Sequence, residues 1–402
     1  MEKITYMNIL YHHRTRGKGA EGVHILGIVT ALRKLGHVVN ILSFPGSDPE
    51  KDNEAKGHDK VAKSSSSPFT YLAKITKYLP EFFFELFELA YNLIILFRLP
   101  KTLNQENTKL IYERYSLFMF LGIRIAKKRN IPFILEINDS VLVERVRPIF
   151  LSSLAKYIEK WCFTNATGLV FISTYFQELS QKNYGDIAPS IVCPNAADPE
   201  YFDPSKYEKE NIKSTLGLTN KTVCGYVGAF VKWHGIVWFI EDIAPQLKSH
   251  PHLALLLVGD GVCYPNIAAL VEKYDLQEQI ILTGKVEHKD VPKYISAMDF
   301  GILPDSNLYG SSMKHFEFMA MACGMVVPAF EPMKEVVTDK ENSWLFDIGN
   351  KKQCVDAVLS LSQDVGHLTT VGNNARNYII NERQWLHNAE NILGLAFNNE
   401  NN

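Results

Sequence analysis

The usual metal signatures are missing from this chain. It has no Asp-x-Asp pair, no His-Glu-x-x-His and no grouping of histidines and carboxylates at ligand spacing, so no resident metal is expected. Cysteine is sparse: Cys162, Cys193, Cys224, Cys263, Cys323 and Cys354 stand far apart with no CxxC pair, which argues against a zinc site or a disulfide framework and fits a reducing cytoplasm. Net charge is small, at -2, and gives no electrostatic case for DNA or RNA as a partner. The opening MEKITYMNILYHH lacks the basic start, apolar run and cleavage site of an export signal and reads as a first core strand. One long apolar run, Phe82 to Leu99, carries Glu85, Glu88 and Arg98, which argues against a membrane span. It reads as a buried amphipathic helix, or as one that also dips into a membrane surface.

What is present is a globular composition, 46% hydrophobic and 21% charged, in 402 residues, too many for one ordinary core. Short apolar runs alternate with segments of helical period, the pattern of a parallel sheet covered by helices on both faces, so the fold class is α/β. In the first half the expected strands are MNILYH, VVNILSF, KLIYERY, PFILEIN, GLVFIS and SIVCPN. In the second they are TVCGYVGAF, LALLLVGD, QIILTGK, FGILP and MVVPAF. The polar stretch 198–220 reads as a linker, giving domains at 1–200 and 201–380. The stretch 45–68 reads as a mobile loop and the terminal NNENN as a disordered tail. Such folds bind ligands at the carboxyl edge of their strands, which places the expected site between the domains.

Chemistry-bearing residues gather at strand ends. After the first strand, Gly17, Gly19 and Gly22 would let backbone N–H groups approach an anion, or would simply make a tight turn into a helix. In GAFVKWHG, Lys232 and His234 follow a strand, suited to neutralising a diphosphate, with Trp233 as an apolar wall; a solvated loop with a packed tryptophan is the plainer reading. In PDSNLYGSSMKHFEFMAMACGMVVPAF, the small residues Gly310, Ser311 and Ser312 lead into a helix whose first-turn amides and dipole can hold a phosphate. Lys314 adds a charge there, and Glu317 offers two acceptor oxygens to the hydroxyls of a ribose. A capped helix with an exposed glutamate would look the same. In ILEINDSVLVER, Asn138 and Asp139 are placed to position an acceptor hydroxyl or a donor sugar beside Glu136, Glu144 and Arg145; Asp139 would equally serve as a helix cap.

Taken in order, these segments resemble family 4 of the retaining glycosyltransferases, which have the GT-B fold, over nearly the whole chain. The resemblance rests on GKGAEGVH, IYERY with ILEIND, PNAADPEYF, LLLVGDG, ILTGKVEHKDVPKYISAMDFGILP, FEFMAMACGMVVP and NERQWLHNAENIL. It implies two Rossmann-like domains facing across a cleft, acceptor side first and nucleotide-sugar side second, with a last helix at about 381–397 packing back on the first. It implies that Glu317 binds the nucleotide ribose and that the backbone from Gly310 to Met313 holds the diphosphate. Lys285 and Val286, after Thr283 and Gly284, match the loop whose backbone meets the nucleobase. Three positions depart from the family pattern: Tyr309 stands where the first motif glutamate is usual, and Ala229 and His234 replace the Arg and Lys of the phosphate loop. Lys232 and Lys314 are the compensating cations.

The resemblance thus implies a cytoplasmic hexosyltransferase, peripheral at most at the inner membrane face. It would use a UDP- or GDP-sugar as substrate, no cofactor, and a glycan or lipid-linked glycan acceptor of cell-surface polysaccharide synthesis. Transfer would retain configuration through an oxocarbenium-like transition state, with Lys232, Lys314, His234 and helix amides stabilising the leaving diphosphate. The alternative is a catalytically silent GT-B partner of another transferase, motivated by Tyr309, Ala229 and His234.

Overall fold

The computed structural model describes residues 6–15, 17, 19–43, 48–50, 82–145 and 148–397. The loop expected at 45–68, apart from residues 48–50, and the expected tail at 398–402 lie outside the described residues. The chain divides into two compact units. One is Met1–Ile172, Phe176–Cys193 and Ala389–Asn402; the other is Ser173–Tyr175 and Pro194–Asn388.

The first unit is built on a parallel sheet of β1 (Asn8–His13), β2 (Val38–Ser43), β3 (Leu110–Arg114), β4 (Phe133–Ile137), β5 (Gly168–Phe171) and β6 (Ser190–Val192). Their order is β2-β1-β3-β4-β5-β6. All five residues of β4 are buried, as expected of a strand covered on both faces. On β5, a Cβ at Gly168 would lie 2.7 Å from the side chain of Leu395, so the glycine admits the end of the Trp385–Phe397 helix against the strand.

The apolar run forms the Phe82–Glu106 helix, which buries one edge through Tyr91, Ile95, Leu99 and Leu103. Two polar residues on that edge have backbone partners. The Glu85 carboxylate accepts the N–H groups of Phe150 and Leu151 at 2.7 and 2.8 Å. The Asn92 side-chain oxygen accepts those of Phe120 and Leu121 at 3.1 Å, where the Leu121–Lys128 helix begins. A buried amphipathic helix is therefore only half the description, because Phe83, Phe87, Leu93 and Phe97 remain exposed. No helix among the described residues is long and apolar enough to cross a membrane.

The second unit carries β7 (Thr222–Val227), β8 (Leu253–Val258), β9 (Ile280–Gly284), β10 (Phe300–Ile302), β11 (Met325–Pro328) and β12 (Trp344–Phe346), in the order β12-β11-β10-β7-β8-β9. Strand β8 shows why a continuous apolar run was needed. Leu253, Leu255 and Leu257 enter the core on one face, and Ala254, Leu256 and Val258 the core on the other. Each buried leucine there contributes about 2 kcal/mol of transfer free energy. The segment 198–220, expected as a linker, is folded onto the second unit. Phe202 and Leu218 join the core, and Lys209 and Lys213 both pair with Asp299, at 2.6 and 2.8 Å.

Candidate active site

In the second unit the strand order reverses between β7 and β10, and open parallel sheets bind ligands beside such a reversal, at the carboxyl ends of the strands. The loops leaving these two strands hold the GAFVKWHG and SNLYGSSM segments. They meet where the Asp305 N–H donates to the His234 carbonyl at 3.2 Å.

Packing brings the Met313–Ala320 helix to this edge. A Cβ at Gly301 on β10 would lie 2.6 Å from the Phe318 ring, so glycine allows the helix to press Phe318 onto the strand. The same placement carries Lys314 over β7. Its Nζ donates to the Tyr226 hydroxyl at 3.1 Å and lies 4.4 Å from the centre of the Tyr226 ring. Gly228, at φ +141°, makes room for the ammonium, since a Cβ there would be 2.9 Å from Nζ. Burial pulls the Lys314 pKa down to about 7, with the charge of Glu317 opposing. A lysine so placed is easily protonated further when an anion arrives.

His234 does not supply the positive charge expected of it. It is buried, its Nδ1 lies 2.8 Å from both the Tyr226 hydroxyl and the Ala229 carbonyl, and the carbonyl requires Nδ1 to carry the proton. Burial and then the neighbouring Lys314 lower its pKa to about 4, so the imidazole is neutral at neutral pH. Lys232 is exposed on the short turn Lys232–His234, outside the Lys314–Tyr226–His234 network, and the Trp233 ring meets that of His234 at a tilt of 58° with centres 3.8 Å apart.

The helix start is fixed by its neighbours. The Gly310 N–H donates to the Asn307 side chain at 2.6 Å, and Ser311 takes bonds from the Asn195 backbone and side chain at 2.9 and 2.6 Å. Gly310 therefore has its amide already engaged, unlike the expectation that it would face a phosphate. Ser312 occupies the N-cap without a side-chain cap bond, so Met313 opens a helix whose first-turn amides keep their dipole outward. One turn on, Glu317 is buried and accepts from His288 Nε2 at 2.9 Å. Gly284 ends β9 at φ +70° with open space around its Cβ position; Lys285 is exposed, and Val286 packs on the core.

In the first unit the centre is Glu136, near the end of β4. It is 1% exposed, with Arg114 Nη1 at 2.6 Å, His24 Nε2 at 2.7 Å and the Tyr11 hydroxyl at 3.1 Å. Burial alone would raise its pKa, but His24 and Arg114 hold it at about 2. His24 belongs to the Ala20–Lys34 helix, which Gly19 opens at φ +61°, so the glycine-rich turn is tied to β4 through this carboxylate. Asn138 and Asp139 are engaged within the unit. The Asn138 amide donates to Glu136, while Asp139 accepts from the Ser140 N–H at 2.9 Å and from Arg145. Asp139 caps no helix, since the next one begins at Ser152.

Sequence reasoning did not single out Tyr226, which reads as an ordinary core residue of β7, or His288, which follows the expected base loop by two positions. Among the described residues no group of three or more His, Cys, Asp or Glu is placed to share a metal ion.

Comparison with known proteins speaks to the family and the fold. Residues 21–201 match the model of Glycosyltransferase Family 4, and residues 221–364 that of Glycosyl transferases group 1. The chain is 25% identical to the 2-deoxystreptamine glucosyltransferase of Streptomyces kanamyceticus over 182 residues, 44% of this chain and 46% of that one. It is 23% identical to the alpha-monoglucosyldiacylglycerol synthase of Acholeplasma laidlawii over 271 residues, 63% of this chain and 66% of that one. The match thus spans from about half to two thirds of these relatives' length. Among solved structures, a glycosyltransferase from Rickettsia africae superposes with a TM-score of 0.73 at 16% identity, covering 99% of each chain. Anabaena HepE in complex with UDP superposes with a TM-score of 0.72 at 15% identity, covering 96% of this chain and 98% of that one. Likeness at such identity speaks for the fold. With one family model on each half and the GT-B architecture in both sheets, the chain belongs to glycosyltransferase family 4, the group 1 glycosyl transferases.

Proposed function

We propose that this protein is a metal-independent, retaining hexosyltransferase that takes a UDP- or GDP-sugar and glycosylates a glycan or lipid-linked glycan in cell-surface polysaccharide synthesis. The observation that carries this reading is Lys314, held on the Tyr226 ring at the reversal point of the sheet, one residue into a helix without a side-chain cap. A cation with a pKa near 7 beside the amides that open the Met313–Ala320 helix suits a group whose negative charge grows as a bond breaks. The nucleoside diphosphate leaves the anomeric carbon on the face that the acceptor hydroxyl attacks, and the leaving phosphate oxygen takes the acceptor proton. Lys314, which the negative charge of the bound diphosphate keeps protonated with a proton drawn from solvent, stabilises the leaving group, and Glu317 accepts the ribose hydroxyls. His234 contributes a neutral imidazole that fixes Tyr226.

The HepE complexes with UDP and with UDP-glucose support a nucleotide-sugar donor in this fold. The two glucosyl-transferring relatives support a hexose. A membrane-proximal acceptor is supported by the exposed stripe Phe83, Phe87, Leu93 and Phe97 of the Phe82–Glu106 helix, and by the exposed Phe150 and the exposed Leu154 and Tyr157 of the Ser152–Asn165 helix. The enzyme would then work in the cytoplasm, resting on the inner membrane face.

Donor hydrolysis without acceptor tests the reading. Slow release of sugar from UDP-glucose or a GDP-hexose in the presence of a chelator, reduced about 100-fold in Lys314→Met, is expected. Nucleotide binding with no sugar release would identify a silent binding partner instead.

A further inference from the structure

Glu317 is held in place before any nucleotide arrives. Its Oε1 accepts from His288 Nε2 at 2.9 Å, and that imidazole is itself clamped by two rings of the junction segment. Tyr201 lies parallel to it, with ring centres 6.0 Å apart and planes 5° apart, and Phe202 meets it edge-on at 5.8 Å. The Tyr201 hydroxyl also donates to the His288 carbonyl at 3.4 Å. The backbone is fixed from the other side, because His288 opens a short turn only two residues after Val286, in the loop that leaves β9.

Resting on the donor-site reading above, we propose that His288 is a positioning residue for ribose recognition: it fixes one carboxylate oxygen of Glu317 so that the other meets the ribose hydroxyls. An ionised carboxyl has about four lone-pair sites. With Oε1 anchored, Oε2 and the outer lone pair of Oε1 are presented in one orientation, and the entropy of orienting the side chain is already spent before binding. A carboxylate that must take both a donor from the protein and the hydroxyls of a ribose benefits from a restrained donor, and the Tyr201 and Phe202 rings restrain an imidazole that is otherwise 41% exposed. Burial alone would lower the His288 pKa, but the Glu317 bond and charge raise it above 6.5, which keeps Nε2 a donor. The groups facing the imidazole are Glu317, Tyr201 and Phe202, with Glu287, Lys289 and Asp290 adjoining it in its own turn. The PNAADPEYF junction thereby acquires a role at the donor site: its two aromatic residues buttress the histidine that orients the glutamate.

The test is a coupling measurement by isothermal titration, using whichever of UDP and GDP binds more tightly, together with its 2′-deoxy analogue. In His288→Ala the ribonucleotide should lose about tenfold in affinity while the 2′-deoxy analogue loses less than about threefold. His288→Gln, which keeps a donor near the same place, should recover most of the loss. A merely structural histidine would weaken both nucleotides equally, or leave both unchanged, and either result overturns the proposal. The failure of the underlying donor site is distinguishable: there, neither nucleotide binds the wild type, or Glu317→Ala binds as well as it does.

Discussion

Lys314 and Tyr226, 88 positions apart in the chain, are joined twice over: the ammonium donates to the phenol oxygen at 3.1 Å and lies 4.4 Å above the ring. The ring face offers a cation some electrostatic attraction but little solvation, so the pair holds a lysine that is only partly charged at neutral pH. The site thereby keeps its principal cation on the helix side of the sheet reversal, where the departures Ala229 and His234 have removed charge from the facing loop.

Replacing Lys314 by Met should weaken nucleoside diphosphate binding by roughly tenfold or more and slow transfer by about 100-fold. Wild-type affinity should gain a pH dependence near pH 7, weakening as pH rises and Lys314 loses its proton, and the difference from Lys314→Met removes the nucleotide's own titration. Folded Lys314 has its pKa depressed from 10.5 to about 7, so the unfolded chain binds the extra proton between those values and its cost to stability grows as pH falls through that window. Thermal denaturation should accordingly find Lys314→Met more stable than wild type, most clearly below pH 7. Equal stability at every pH would contradict the burial of this group.

Tyr226→Phe keeps the ring and removes the hydroxyl that accepts from Lys314 and donates to the Ala229 carbonyl at 2.9 Å. Chemical denaturation should register a loss of about 1–3 kcal/mol from the Lys314 ammonium left without its acceptor. Nucleotide affinity should fall as well, because Lys314 loses its anchor. Gly228→Ala should reach the same binding defect by a different route, its methyl group displacing the ammonium.

Glu136→Gln should destabilise the first unit by about 3–5 kcal/mol, since Arg114 would be left without its carboxylate in a buried place. The folded pKa of Glu136 lies near 2, below the usual 4.5, so its stabilisation is complete above about pH 4.5 and is lost as pH falls toward 2. An acid-unfolding curve that is unchanged by the substitution would argue against this carboxylate as the centre of the strand-end network.

Phe87→Ser and Phe97→Ser remove exposed rings, 47% and 76% exposed. Both variants should fold with wild-type Tm and bind vesicles containing anionic lipid several-fold less well in flotation assays. Undiminished flotation would detach the apolar stripe from the membrane.

Eleven of the twelve strands were legible as apolar runs because a strand covered on both faces needs every side chain apolar, as in LALLLV of β8. The twelfth, Trp344–Phe346, is a run of only three apolar residues between the polar Ser343 and Asp347, and it was not among the expected strands. Lys314 and Glu317 could be picked out from their place at a helix start. What they touch could not, since Tyr226 and His288 reach them only through tertiary packing across 88 and 29 positions. His234 misled for a related reason: a histidine in a loop after a strand looks solvated and basic, and only the fold buries it against the Ala229 carbonyl. Asn138 and Asp139 were visible as polar residues at a strand end, whereas their engagement with Glu136 and Arg145 depends on side-chain direction.

The most direct test is isothermal titration of UDP and GDP into the wild type and Glu317→Ala, with a chelator present throughout. One nucleotide binding the wild type without metal, and about 100-fold more weakly in Glu317→Ala, is the result expected of a donor site built on the Met313–Ala320 helix. Binding of neither nucleotide, or equal binding by the variant, would contradict it.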